Sequence, residues 1–214
     1  DPPHPGLQQP EGETDFTILY CHGNGEDRGD LRPILQMYPL NGFSILAYDY
    51  RGYGTSQGTI SEASACRDVE TVYGYLRSEL NTPPDRILVL GRSVGGGSAA
   101  HLASRREVAG LIFESAFVSA FRVLTRIPLL PGDKFKNIDK LKTIHCPILV
   151  MHGTRDWLVP CWHGRKLFQT AREPKLCLWV EGAGHNDLLF VADRAYWEKL
   201  GEFTRLIQKN QPLH

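Results

Sequence analysis

Arg86-Ile87-Leu88-Val89-Leu90-Gly91-Arg92-Ser93-Val94-Gly95-Gly96-Gly97 is the stretch on which the fold reading turns. From Arg86 to Leu90 the chain is almost continuously apolar, which predicts a strand covered on both faces. Gly91-Arg92-Ser93-Val94-Gly95 then forms a G-x-S-x-G pattern leading into a helix over Val94 to Ser104. In a strand-to-helix elbow the central residue is held in a strained conformation that exposes its hydroxyl. Glycine two residues to either side lets the strand and helix backbones approach closely. Gly95, Gly96 and Gly97 each cost about 0.8 to 1 kcal/mol relative to Ala in a helix, so a steric demand for close packing outweighs helix propensity here. Ser93 is therefore the candidate nucleophile. A plain Gly-rich turn is the simpler alternative, whereas a phosphate-binding loop would need a Lys before the hydroxyl residue.

Outward from this elbow, strand-length apolar runs recur at Phe16 to Cys21, Phe43 to Asp49, Gly110 to Phe113, Pro147 to Met151 and Leu176 to Val180. Helical patterns separate them. Ser61 to Leu80 is the clearest, with Ala65, Val69, Val72, Tyr73 and Leu76 on one side, Ser61 as N-cap and Pro83 beyond its end. Arg28 to Met37, Cys161 to Ala171 and Asp187 to Ile207 are the others, the last carrying Leu188, Leu189, Tyr196, Leu200, Phe203 and Ile207 as an apolar stripe. Such alternation predicts an α/β fold: a mostly parallel sheet of about six strands with helices on both faces. Residues 15–214 read as a single domain, preceded by a Pro-rich arm over residues 1–14 with Pro2, Pro3, Pro5 and Pro10. The stretch from Val118 to Thr143 breaks the rhythm with Pro128, Pro131 and Gly132, and predicts a small cap inserted over the carboxyl edge of the sheet.

Across 214 residues, 24 Lys plus Arg balance 24 Asp plus Glu, so no global basic field exists to hold a nucleic acid. No apolar run approaches the length that spans a bilayer, and the first residues lack the order of a signal peptide. Cys21, Cys66, Cys146, Cys161 and Cys177 are odd in number and widely spaced, which favours a reduced, cytoplasmic setting over a disulfide framework. Cys21 and Cys146 read as small buried hydrophobes. Without paired Cys or helically spaced His, no metal is expected.

A serine hydroxyl needs a base, and the base needs an orienting carboxylate. His185 lies in Gly182-Ala183-Gly184-His185-Asn186-Asp187 after the last predicted strand, and Asp156 in His152-Gly153-Thr154-Arg155-Asp156 after the one before it. Each, read alone, is an ordinary loop residue. Together, in the order Ser93, Asp156, His185 and each following a different strand, they match the order of nucleophile, acid and histidine in a hydrolase. The oxyanion of such a reaction needs preorganised N–H donors. Val94, just after the nucleophile, is one candidate, and Asn24 in Cys21-His22-Gly23-Asn24-Gly25-Glu26 is the other, with Gly25 its nearest competitor. His22 reads as a packing residue behind that loop.

A rival reading from another reaction class uses the same loop. Gly23, Gly25 and Gly29 follow a strand and open a helix, Asp49 ends the next strand, and Arg51 follows, as in an NAD(P)-dependent oxidoreductase. The glycine spacing is loose, however, and Tyr196-Trp197-Glu198-Lys199 is one residue short of a Tyr-x-x-x-Lys pair. A third reading is a non-catalytic interaction module on a hydrolase scaffold.

The sequence also resembles the α/β-hydrolase superfamily, and within it the α/β-hydrolase-domain protein depalmitoylases. The resemblance is carried by His22-Gly23-Asn24, Tyr48-Asp49-Tyr50-Arg51-Gly52-Tyr53-Gly54, the Ser93 elbow, Asn137-Ile138-Asp139-Lys140, His152-Gly153-Thr154, His163-Gly164 and Leu178 to Asp187. It implies a cofactor-free serine hydrolase cleaving fatty-acyl thioesters from cysteines of membrane-associated proteins, with Ser93 transiently acylated. This chain departs from those relatives at Arg92, where Gln is common, and in the acid loop Arg155-Asp156-Trp157-Leu158-Val159-Pro160, which is closer to general esterases. The cysteine-rich N-terminal segment that anchors them by lipidation has no counterpart in these residues.

Phe117, Leu129, Leu130 and Trp157 are the candidate acyl-binding residues, while Arg122, Arg126, Lys134, Lys136, Lys140 and Lys142 offer a basic face toward an anionic lipid surface. In this superfamily a strand pair usually precedes the His22-Gly23-Asn24 strand. Here the Phe43 to Asp49 strand is thus expected at an exposed edge, covered by an upstream segment, a partner chain or the arm itself.

Overall fold

The computed structural model describes residues 14–24, 28–54, 56–59, 61–119 and 136–210, with the backbone alone at 28–30. Every predicted apolar run is a strand in it: β1 Thr17–Cys21, β2 Ser44–Ala47, β3 Ile87–Arg92, β4 Gly110–Glu114, β5 Ile148–Gly153 and β6 Lys175–Val180. They form one sheet in the order β2-β1-β3-β4-β5-β6, and all five pairings are parallel. Side chains of a strand alternate between faces, and the two buried clusters follow that alternation. Leu19, Cys21, Val89, Leu111, Phe113 and Val150 point to one face, and Ile18, Tyr20, Leu88, Leu90, Ile112, Leu149 and Met151 to the other.

Helices cover both faces. On the first lie α2 Glu62–Ser78, α3 Gly95–Ala103 and α5 Trp162–Thr170, through Ala65, Val69, Leu76, Ala99, Leu102 and Leu167. On the second lie α1 Arg28–Leu40, α6 Leu188–Ala192 and α7 Arg194–Asn210, through Leu31, Leu188, Tyr196, Leu200, Phe203 and Ile207. A short helix, α4 Asn137–Lys140, precedes β5. Ser61 caps α2 as expected, and its partner in the capping box is Ser64, whose hydroxyl accepts from the Ser61 N–H at 2.7 Å.

Two boundaries differ from the sequence reading. Helix α1 runs past Met37 and Pro39 to Leu40, where the Asn41 side chain donates to the Met37 carbonyl and Gly42, at φ 83°, turns the chain into β2. The predicted helix over Asp187 to Ile207 is two helices. Asp193, at φ 46°, breaks it while leaving the apolar stripe intact on either side. A short polar side chain tolerates that backbone better than a branched one.

Strand order fixes where a site can form. From β1 the chain moves outward to β2, then crosses back over β1 to β3 and continues away from it. Connections leave the carboxyl ends of β1 and β3 in opposite directions, and the crevice between them is where such sheets bind ligands. The β1 loop and the Ser93 elbow sit at that point. As expected, β2 lies at an edge of the sheet. Residues 1–13 of the predicted arm and residues 120–135, most of the predicted cap, lie outside the described residues.

Candidate active site

Strand β3 ends at Arg92, and the next residue, Ser93, has φ 52°, a left-handed conformation costly for a residue with a Cβ. Its N–H donates to the Glu114 carbonyl on β4 at 2.9 Å, which holds the turn. Glycine is a steric necessity on both sides. A Cβ on Gly91 would lie 2.5 Å from the Gly96 Cα, and one on Gly95 only 2.1 Å from the Cys21 carbonyl oxygen. The second contact seats the start of α3 directly against the end of β1, beside the loop that carries Asn24.

Asp156 follows β5 and is 5% exposed. Its Oδ1 accepts the Val159 N–H at 2.7 Å, and its Oδ2 lies 3.3 Å from Nε2 of His152, itself bonded to the Val159 carbonyl at 2.7 Å. Burial pushes the Asp156 carboxyl toward its neutral form, but hydrogen bonds from His152, His185 and Val159 outweigh it and hold the group well below the usual carboxylate range. The acid is a carboxylate at neutral pH.

His185 stands on the loop after β6, which is tied to the acid loop by Arg155 N–H to Ala183 carbonyl at 2.9 Å and Gly182 N–H to Thr154 Oγ1 at 2.9 Å. Its Nδ1 is 2.7 Å from Asp156 Oδ2 and its Nε2 is 3.1 Å from Ser93 Oγ. An ionised carboxylate only accepts, so Nδ1 carries the proton and Nε2 presents a lone pair to the serine hydroxyl. The three residues singled out in the sequence from three separate strand ends are thus joined in one hydrogen-bonded line.

Asn24 lies exposed in the turn after β1, where its Oδ1 accepts from the Tyr53 hydroxyl. Val94 stands at the start of α3 in helical conformation. His22 is buried behind the loop as expected, its Nδ1 donating to the Gly23 carbonyl at 2.8 Å and its ring against Tyr50. Of the expected acyl-binding residues, Phe117 is buried, with its carbonyl accepting from Asn137 Nδ2 at 2.9 Å, and Trp157 is 90% exposed. Leu129 and Leu130, like Gly25, lie outside the described residues.

Arg92, Glu114 and Asn186 are site residues that the sequence reading did not place. Arg92 is buried at the end of β3, with Nε 3.4 Å from Glu114 Oε1 and Nη2 donating to the His185 carbonyl at 3.2 Å and to Asn186 Oδ1 at 3.0 Å. The available signal was a charged residue inside an otherwise apolar strand end.

Among known families, the one described as Hydrolase_4, serine aminopeptidase, S33, matches residues 12–130. The chain belongs to this α/β-hydrolase family. An α/β-hydrolase domain-containing protein of Caenorhabditis elegans, aho-3, is 37% identical over 209 residues, spanning 91% of this chain and 59% of its own length. The α/β-hydrolase domain-containing protein 17B of Homo sapiens is 35% identical over 192 residues, spanning 88% of this chain and 66% of its own length. This α/β hydrolase therefore covers less than two thirds of those relatives. In fold it is similar to the Pyrococcus furiosus esterase Pf2001, with TM-score 0.75 at 21% identity over 91% of this chain and 84% of the esterase. It is also similar to a monoacylglycerol lipase of Paleococcus ferrophilus, with TM-score 0.66 at 19% identity over 90% and 94% of the two chains. Nothing in these likenesses supports the oxidoreductase reading. Its nearest catalytic pair is otherwise engaged too, since the Tyr196 hydroxyl is buried against Glu114 and Lys199 Nζ bonds Glu202.

Proposed function

We propose that this α/β hydrolase cleaves carboxylic esters or thioesters through an acyl-enzyme formed on Ser93. The observation that carries the reading is the line from Ser93 Oγ through His185 to Asp156, at 3.1 and 2.7 Å. Ser93 Oγ attacks the acyl carbon while His185 Nε2 takes its proton, and the buried Asp156 carboxylate stabilises the imidazolium without itself being protonated. The oxyanion is received by the N–H groups of Val94 and Asn24. Collapse breaks the bond to the leaving alkoxide or thiolate, to which His185 returns the proton. A water then repeats the sequence on the acyl-serine, releasing the fatty acid and restoring Ser93.

The resemblance to depalmitoylases favours a fatty-acyl thioester on a protein cysteine. Exposed apolar side chains close to the triad in the chain support a lipophilic substrate: Trp157 and Leu158, directly after Asp156, are 90% and 62% exposed, and Phe190, five residues after His185, is 58% exposed. Such exposed aromatic and aliphatic groups also suit peripheral contact with a membrane, and five free thiols suit a cytoplasmic location. A chain-length series of paired acyl esters and acyl thioesters, with one S-acylated peptide, tests the substrate class. Long-chain thioesters should be turned over fastest; a hundredfold preference for acetyl esters would remove the depalmitoylase reading and leave a short-chain esterase.

A further inference from the structure

Between Gly91 and the nucleophile stands an arginine buried with a carboxylate. Arg92 and Glu114 side chains are 5% and 7% exposed, with Nε and Oε1 3.4 Å apart. Glu114 Oε2 accepts the Tyr196 hydroxyl at 2.6 Å, and the Tyr196 and Tyr38 hydroxyls are 2.8 Å apart. Arg92 Nη2 reaches the other way, to the carbonyl of His185 and the side chain of Asn186. Glu114 also accepts the Ser93 N–H through its backbone carbonyl at 2.9 Å.

We propose that Arg92 is a positioning residue that fixes the His185 loop to the same two strands that carry Ser93. This rests on the triad reading above. The hydrogen bonds and the ion pair trace one path: Ser93 N–H to the Glu114 carbonyl, the Glu114 carboxylate to the Arg92 guanidinium, and the guanidinium to the His185 peptide oxygen. The backbone of the base and the backbone of the nucleophile are thereby indexed to one another from beneath, independently of the bond between their side chains. An arginine suits this task because its planar fork directs N–H donors from separate nitrogens, Nε toward the carboxylate and Nη2 toward two loop oxygens, where an ammonium offers all its donors from one atom and an amide has too few. Glu114 neutralises the guanidinium, so a buried cation sits under the base without being left unpaired. Displacement of a catalytic group by about 1 Å costs on the order of a hundredfold in rate, which sets the size of effect expected when the tether is cut.

Four variants test this: Arg92→Met with Glu114→Gln in one chain, which removes both charges and keeps an acceptor for Tyr196; Arg92→Lys; Asn186→Ala; and Ser93→Ala as the control. The readouts are the melting temperature, kcat and KM on an activated ester, and the rate of labelling by a fluorophosphonate. The double variant should melt within a few degrees of wild type yet lose about 10- to 100-fold in kcat, with KM within about twofold and labelling slowed in proportion. Arg92→Lys should recover part of that loss, and Asn186→Ala should lose severalfold. A folded double variant with wild-type kcat and labelling rate overturns the proposal. If the double variant does not fold, wild-type kcat in both Arg92→Lys and Asn186→Ala overturns it instead. Labelling that persists in Ser93→Ala would mean that the triad reading itself has failed; labelling that depends on Ser93 but not on Arg92 would remove the positioning role alone.

Discussion

Nδ1 of His185 lies 2.7 Å from Oδ2 of Asp156, a side chain with no solvent exposure that also accepts the Val159 N–H and lies against His152. The carboxylate is therefore held by its own loop and by His152 as well as by His185. Asp156→Asn keeps the shape and reverses the logic of the bond, because an amide donor facing Nδ1 favours the wrong imidazole tautomer. The expected result is a fall in kcat of about 10³- to 10⁴-fold with KM little changed, measured by steady-state hydrolysis of an activated ester.

The same contacts make a statement about pH and stability. Burial raises the Asp156 carboxyl, but hydrogen bonds from His152, His185 and Val159 overcome it, so the folded-state value is depressed. Its contribution is therefore fully present above the ordinary carboxylate value of about 4, and is lost as pH falls below that through the folded-state value. The stability gap between wild type and Asp156→Asn should shrink as pH falls below about 4, as read by urea unfolding at each pH. A gap that widens in acid would contradict it.

Two glycines should respond to alanine with opposite signs. A Cβ on Gly95 meets the Cys21 carbonyl oxygen at 2.1 Å, backbone against backbone with nowhere to move, whereas one on Gly74 in α2 meets nothing within 4 Å. Gly95→Ala should lose about 1–3 kcal/mol or more, lowering the melting temperature by at least several degrees. Gly74→Ala should gain about 0.4–1 kcal/mol. Differential scanning calorimetry of the two decides this.

Thiol chemistry offers a test of the core. Burial pushes Cys21 and Cys146 up to about 12, and Cys21 is fully buried beneath the elbow. Cys21 should resist iodoacetamide at pH 8 in the native protein and react on denaturation, whereas Cys146, expected from the sequence to be buried, is only partly so and is the less protected of the two. Peptide mapping that finds Cys21 rapidly alkylated in the native state would contradict the packing described.

What the sequence could disclose was local or periodic. All six strands were visible because each is a short apolar run, and the elbow because Gly91 and Gly95 flank Ser93 in a fixed local pattern, although the contact that demands Gly95 is to Cys21 on β1. His185 and Asp156 were found through chain order, since each follows its own strand. The Arg92 network was not legible: its partner Glu114 lies one residue past the end of the apolar run Gly110 to Phe113, on a neighbouring strand, and nothing in either segment records the pairing. The break at Asp193 was hidden for a related reason. The apolar stripe continues across it, and only the backbone angle betrays it.

Covalent labelling of Ser93 tests the central claim most directly. The native protein should be incubated with a fluorophosphonate and its intact mass and modified peptide determined. One adduct per chain is expected, mapped to Ser93, absent in Ser93→Ala and greatly slowed in His185→Ala. No adduct on the folded wild-type protein, or equal labelling of Ser93→Ala, would contradict the account.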